Sequence, residues 1–457
     1  MNTPSHGTLN IALVALTVAI GGFLLGFDAT VISGVVPFIR EYFALTGTSG
    51  DLKLGWAVSS LGWGAIAGNL LAGGLSDRFG RRRVLLATAV LFLASSLVAA
   101  FATTFVNFVT ARIIGGLAVG MAILIAPMYI AEISPAARRG SFVSLNQLMI
   151  VIGISASFFS NYFLLGIEHD NWRWMLGVQS IPATLYFVLL LLVPESPRWL
   201  LLKGRDEEAL QVLSRVSGEA AARQELQLIR QSLSAKAATR GFRGLLDRRF
   251  RYILLVALGL AFFQQVTGIN AIFYYLPTIF AQAGGGVSDA FRQAVVVGLV
   301  NVVMTFVAIW LIDRIGRKPL LVTGVAGMTI SLAVIAWAFA QPAMNATIVL
   351  VAIIGFVASF AISLGPVMWV LLSEIFPNER RAAAISVAGF FNALVSASIT
   401  FIFPWELSSL GPAGTFLGYS LFAGAALLFV LLFVPETKGR TLEELESELL
   451  SPARATR

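Results

Sequence analysis

The chain contains no cysteine, which excludes disulfide bonds, thiolate metal sites and a cysteine nucleophile. Histidine occurs twice in 457 residues, and charged residues make up only 12%, where a soluble domain carries about 25%. What replaces the charge is apolar: 57% of residues are hydrophobic and the mean hydropathy is +0.84. Length alone would suggest about three soluble domains, but no soluble fold could hide this much apolar surface. The formal net charge of +8 would suggest nucleic acid in a soluble protein; in a membrane chain a basic surplus first reports orientation. Residues 1–10 hold no Lys or Arg, so the basic region of a cleavable signal is missing and the first apolar run is read as a retained helix.

A helix needs about 20 largely apolar residues to cross the hydrocarbon. Scanning at that length gives spans near 11–36, 54–75, 84–104, 109–131, 142–165 and 174–193, then 252–281, 294–312, 319–340, 346–372, 383–404 and 414–434. The expected fold is an all-α membrane protein of twelve transmembrane helices in two six-helix halves. Its divisions are 1–193 and 252–434 for the two bundles, 194–251 for a cytoplasmic linker and 435–457 for a tail.

Twelve crossings put both termini on one side, and the bases say which. One face, with the linker and tail, holds 27 Lys and Arg against 17 acids; the other holds 4 against 6. The positive-inside rule makes the first face cytoplasmic. Within the linker, Leu226, Ile229 and Leu233 recur at helical spacing, so short amphipathic helices are expected there. In the tail, Thr441 and Glu444 are set as a capping box. The sequon Asn345-Ala-Thr347 abuts a span and is read as coincidental.

The halves repeat one another. GLSDRFGRRR (74–83) returns as WLIDRIGRKP (310–319), AEISPAARRG (131–140) as SEIFPNERRA (373–382), and VPESPR (193–198) as VPETKGR (434–440). Loop charge serving topology explains the bases but not the repeated Asp-Arg-x-Gly-Arg order. A duplicated bundle places a substrate path between its halves near the bilayer midplane. With both Asp-Arg-x-Gly-Arg motifs, PESPRWL (194–200), QQVTGIN (264–270) and PETKGR (435–440), the chain resembles the sugar porter family of the major facilitator superfamily over nearly its full length.

Two ionisable residues lie well inside the spans, Asp28 in the first and Arg112 in the fourth. An unpaired charge in hydrocarbon costs at least ~2.5–3.5 kcal/mol, so they are expected to pair, and counting from the inner ends at about 1.5 Å per residue puts both in the outer half. They form either a permanent salt bridge or a proton switch, in which desolvation or departure of Arg112 raises the Asp28 pKa and loads a proton. The resemblance favours the switch, because proton-coupled sugar porters carry an acid in segments like GFDATVISG (26–34).

The seventh span, FFQQVTGINAIFYYLP (262–277), sets Gln264, Gln265, Asn270, Tyr274 and Tyr275 in an apolar run, and other spans add Gln147, Asn301, Trp369 and Asn392. Amides both donate and accept without charge, which suits a neutral polyol; the alternative is that they tie helices together, at ~0.6 kcal/mol each. A regular helix would spread 264, 265 and 270 around its circumference, whereas a break at Gly268 could gather them. The resemblance implies sugar contact for Gln147, Gln264, Gln265, Asn270, Asn301 and Trp369, with Tyr274 and Asn392 as further candidates. Ile154 stands where xylose–proton symporters have glutamine, and Ala393 where many members have tryptophan.

The cytoplasmic motifs are expected to gate. Asp77 and Asp313 end their helices where a carboxylate can meet a neighbouring helix N-terminus; Arg78, Arg82 and Arg314 accompany them. Glu132 with Arg139 and Glu374 with Arg381 could add pairs across the halves. No enzyme motif, nucleotide loop or metal cluster is present, so neither a cofactor nor a metal is expected. The expected function is import of a small neutral monosaccharide by alternating access, with the proton as co-substrate. The chain is read as a monomer in the bilayer of a bacterial inner membrane, without nucleic-acid partners. The rivals are a proton-independent sugar or polyol facilitator and a non-transporting sugar sensor.

Overall fold

The computed structural model describes residues 10–135, 138–236, 247 and 250–440. The described chain is helical, without a strand. It begins with α1 (Ile11–Tyr42), α2 (Gly47–Phe79), α3 (Arg81–Ala100), α4 (Phe105–Ile133) and α5 (Arg139–Leu164). A divided pair follows, α6 (Asn171–Gly177) and α7 (Ser180–Leu190), and then three short linker helices, α8 (Pro197–Leu202), α9 (Asp206–Ser217) and α10 (Glu219–Lys236). The remainder consists of α11 (Arg251–Val266), α12 (Ile269–Tyr274), α13 (Leu276–Gln282), α14 (Val287–Ile315), α15 (Arg317–Ala340), α16 (Ala346–Ile362), α17 (Leu364–Ile375), α18 (Asn378–Ser409) and α19 (Gly411–Phe433).

The twelve expected spans all fall on these helices. Among the described residues ten stretches are long and apolar enough to cross a membrane, counting α11 with α12 and α16 with α17 as one each. The other two expected spans lie on α2, diluted by glycine and serine, and on α6–α7, which a turn divides at residues 178–179. Thr441 and Glu444 of the expected capping box lie outside the described residues. Asn345 serves the fold directly, as the N-cap of α16 whose side chain accepts the Thr347 and Ile348 N–H groups.

The described chain divides into two compact units, the first Met1–Ala29, Trp63–Ser157 and Arg173–Arg240, the second Thr30–Gly62, Phe158–Trp172 and Gly241–Arg457. Glycine sets the helix spacing in the first. A Cβ at Gly26 of α1 would lie 2.0 Å from the Ile150 carbonyl oxygen, and one at Gly153 of α5 would lie 2.1 Å from that of Phe23. In the same way α2 meets α4, with Gly64 against Ile113, Gly68 against Leu117 and Gly120 against Ala65. In lipid no hydrophobic force drives helices together, so close backbone approach supplies the packing. The linker helices have their own small core, in which Trp199, Leu200, Leu213, Ala222 and Leu226 are buried and Ile229 packs against them.

In the second unit the outer end of α1 is tied to α2 by Arg40 and Asp51, 2.6 Å apart. The Asn161 amide of α5 donates to the Val31 carbonyl at 3.0 Å. A Cβ at Gly55 of α2 would sit 1.8 Å from the Phe401 carbonyl oxygen of α18. Two helices of this unit are broken: α11–α13 at Gly268, where a break was expected, and at Tyr275, and α16–α17 at Ser363.

Candidate functional site

In the first unit the charged pair of Asp28 and Arg112 is sealed from solvent. Arg112 of α4 donates from Nη1 to Asp28 Oδ1 at 2.5 Å and from Nη2 to the Asp28 backbone oxygen at 3.1 Å. Both residues are 1% exposed. Asp28 Oδ2 and Arg112 Nε have no hydrogen-bond partner among the described residues. Gly115 leaves the room for this carboxylate: a Cβ there would lie 2.7 Å from Asp28 Oδ2 and 2.5 Å from Ser95 Oγ. A buried pair of this kind holds together because breaking it strands an uncompensated charge.

The second unit gathers amides. Gly268 adopts the left-handed conformation, φ +82°, between α11 and α12, and the tight reversal returns Asn270 toward the end of α11. Asn270 Nδ2 donates to Gln265 Oε1 at 2.9 Å and to Ser396 Oγ at 2.7 Å. Gln265 Nε2 donates to Asn392 Oδ1 at 3.0 Å. Asn392 Nδ2 donates to Gln264 Oε1 at 2.8 Å and to the Ala261 carbonyl at 2.9 Å. Gln264 Nε2 reaches the Leu364 carbonyl at 2.7 Å, beside the α16–α17 break. Four amides and one hydroxyl thus form a connected neutral network with no ionised group in it. Such a network can exchange hydrogen bonds with a molecule that both donates and accepts, as hydroxyl groups do.

The other expected contacts are placed variously. Asn301 on α14 is buried and Trp369 on α17 is 40% exposed; Tyr274, half-buried, ends α12. All three belong to the second unit, whereas Gln147, exposed on α5, belongs to the first. Ser396 was not singled out in the sequence; it lies four residues after Asn392 on α18, one helical turn along the same face.

The repeated loop motifs form two like clusters, one inside each unit. In the first, Arg81 sends Nε and Nη2 to the Glu132 carboxylate at 3.0 and 3.1 Å. Glu195 accepts the Arg81 and Arg82 N–H groups at the start of α3, at 2.9 and 3.1 Å, and Ser196 Oγ donates to Glu132. In the second, Arg317 forks onto Glu374 at 3.1 and 2.8 Å. Glu436 accepts the Arg317 and Lys318 N–H groups at the start of α15, and Thr437 Oγ1 donates to Glu374.

These partners differ from the expected ones. Glu132 bonds Arg81, and Glu374 bonds Arg317, where Arg139 and Arg381 were expected; Arg139 is exposed, and Arg381 Nε and Nη2 have no hydrogen-bond partner among the described residues. The helix N-termini are met by Glu195 and Glu436, with Asp77 only 3.3 Å from Arg81 Nη1 and otherwise solvent-facing. The physical reason is the turn at Gly80 and Gly316, φ +97° and +107°, which aims the following arginine inward. The Asp313 side chain lies outside the described residues. Arg82 reaches the Leu190 and Leu191 carbonyls; Arg78 lies over Phe79 and Arg314 over Trp310.

Burial alone would raise the Glu436 carboxyl. The backbone N–H groups of Lys438, Arg317, Lys318 and Thr437 outweigh it and hold the pKa below the ordinary carboxylate value.

Comparison with known proteins gives concordant matches. The family model described as sugar (and other) transporter matches residues 14–449. The arabinose-proton symporter of Bacillus subtilis is 39% identical over 455 residues, covering 97% of this chain and 96% of that protein. The D-xylose-proton symporter of Escherichia coli is 37% identical, covering 98% and 97%. The inward open structure of the Escherichia coli xylose transporter superposes with a TM-score of 0.85 at 36% identity, covering 96% of this chain and 99% of that one.

Proposed function

Because the chain belongs to the sugar (and other) transporter family and is a multi-pass membrane protein, we propose that it imports a monosaccharide in symport with a proton, by alternating access. The observation that carries the sugar reading is the neutral network of Gln264, Gln265, Asn270, Asn392 and Ser396. An anion would call for an inward Arg or Lys; a pyranose or furanose ring calls for groups that donate and accept in turn. Gln147, Asn301, Tyr274 and Trp369 complete the sugar contacts in this reading, the aromatic faces meeting the C–H side of the ring. The relatives named for arabinose, xylose and glucose point to a pentose or hexose.

The proton reading rests on Asp28 and Arg112. Arg112 and Asp28 are paired at 2.5 Å. In this reading alternation carries Arg112 away and a proton takes its place on Asp28. The membrane potential then acts on that charge with about 2.3 kcal/mol per 100 mV. No ATP and no cofactor enter the cycle. The arginine–glutamate clusters serve as cytoplasmic latches, with Asp77, Arg78, Arg82, Asp313 and Arg314 around them and Arg139 and Arg381 at the starts of α5 and α18. Both forks are drawn from largely buried side chains, so each cluster is held firmly and losing one partner is costly.

In this reading residues 1–193 and 252–434 form the two moving bundles, both termini face the cytoplasm, and a monomer in a bacterial inner membrane is sufficient for transport. Proteoliposome uptake under an imposed pH gradient tests it. Asp28→Asn is expected to abolish uphill accumulation while labelled sugar still exchanges. Uphill uptake surviving that change would show that Asp28 does not carry the proton, no uphill uptake by the unaltered chain would make it a facilitator, and absence of any counter-flow would make it a sensor.

A further inference from the structure

The amide network depends on the backbone break at Gly268, and the break has a neighbour outside the network. Tyr419 of α19 fills the space beside it: a Cβ at residue 268 would lie 2.6 Å from the ring Cε2 and 2.7 Å from Cδ2. That ring is 3% exposed and is fixed on three sides. Its hydroxyl donates to Glu406 Oε2 at 2.7 Å. Phe403 stacks on it, centroids 6.2 Å apart and planes 11° apart, and Phe416 meets it edge-on at 6.5 Å. Phe403 also lies 5.0 Å from the ring of Tyr275, the residue at the second break. The aromatic group therefore touches both ends of α12, the short helix that carries Asn270.

Glu406 is unusual in its place. It is a half-buried carboxylate near the end of an otherwise apolar membrane-spanning segment, where ionisable groups are costly and are kept for a purpose. Neither it nor Tyr419 takes part in the hydrogen bonds of the amide network. We propose that Glu406 and Tyr419 are positioning residues for the sugar site: Glu406 fixes the Tyr419 ring, and the ring holds the Gly268 break so that Asn270 meets Gln265 and Ser396. This rests on the amide network being the sugar site. A simple tie between α18 and α19 would lower stability when removed but would leave both α12 and sugar affinity unchanged.

The absence of native cysteine permits a direct test on the full chain in lipid. Leu255→Cys and Gln282→Cys, exposed on α11 and α13, place spin labels on either side of the break for pulsed distance measurement. The same preparations are assayed by counter-flow with whichever of labelled arabinose, xylose and glucose exchanges best. Tyr419→Phe and Glu406→Leu are expected to broaden the distance distribution. They are also expected to raise the half-saturating sugar concentration about ten-fold, the loss expected for one hydrogen bond to a charged group. Glu406→Gln keeps an acceptor oxygen and is expected to restore both readouts. Unchanged distances and affinity in Tyr419→Phe and Glu406→Leu, even with lower thermal stability, would overturn the proposal. Broadened distances with unchanged affinity would instead overturn the reading of the amides as sugar contacts, and with it the link to binding.

Discussion

Arg112 grips Asp28 through two different atoms, Nη1 on the carboxylate at 2.5 Å and Nη2 on the backbone oxygen at 3.1 Å. Only the first contact depends on the charge of the side chain. The second is made to the main chain and does not call on the carboxylate.

Removing one partner of this pair is expected to cost more than removing both. Arg112→Leu leaves Asp28 buried and unpaired, and its destabilisation should approach ~3–5 kcal/mol. Asp28→Asn combined with Arg112→Leu should recover most of that. Thermal unfolding in detergent compares the native chain, Asp28→Asn, Arg112→Leu and the double variant; an additive double variant would show that the two residues do not act as a pair.

Asn392 lies at the centre of the amide network, donating twice and accepting once. Asn392→Ala should raise the half-saturating sugar concentration by about ten-fold or more. Asn392→Asp should be worse than alanine, since a carboxylate would face Gln264 Oε1 and the Ala261 carbonyl, two acceptors. Counter-flow kinetics give the order, and aspartate outperforming alanine would contradict it.

Gly268→Ala places a side chain at φ +82° and against the Tyr419 ring. The left-handed conformation alone costs an L-residue about 1–2 kcal/mol, and the ring contact adds to it. Lower thermal stability together with weaker sugar exchange is expected. Gly259→Ala is the control for stability without affinity, because a Cβ there meets only the Phe429 ring.

Glu436 predicts an acid limb to stability. Its pKa is held below the ordinary carboxylate value by four backbone N–H groups that overcome the effect of burial. A depressed pKa contributes stability that is complete above the unfolded value, about 4.3, and is lost as pH falls through the lower folded value. The melting temperature of the native chain should therefore exceed that of Glu436→Gln by a constant margin near neutrality. The margin should shrink as the medium is acidified below the ordinary carboxylate range. A margin that grows on acidification would reverse the sign.

The sequence made the architecture legible because the physics of spanning is coarse: about 20 apolar residues are needed wherever the chain crosses, and the divided spans still meet that demand. It also pointed to the break at Gly268, since glycine tolerates positive φ and Pro277 has no N–H to continue a helix. Rise per residue placed Asp28 and Arg112 at like depth. The cytoplasmic partners were harder to read. Three arginines follow Gly80 in a row, and periodicity does not say which one turns inward; the backbone at Gly80 decides, and Arg81 is the one. The duplicated motif did contain a clue, for Glu195 and Glu436 sit at matching places in PESPR and PETKGR. Glu406 escaped notice because it lies just beyond the expected end of its span at 404, where it counted as one more outer-face acid.

The glycine contacts between α1 and α5 have a mechanical side. At Gly26 and Gly153 backbone lies against backbone, so at these two levels no side chain stands between the helices to flex or change rotamer. Asp28 is two residues beyond Gly26, close to one of these points. A push on α1 is there handed to the α5 backbone by direct contact.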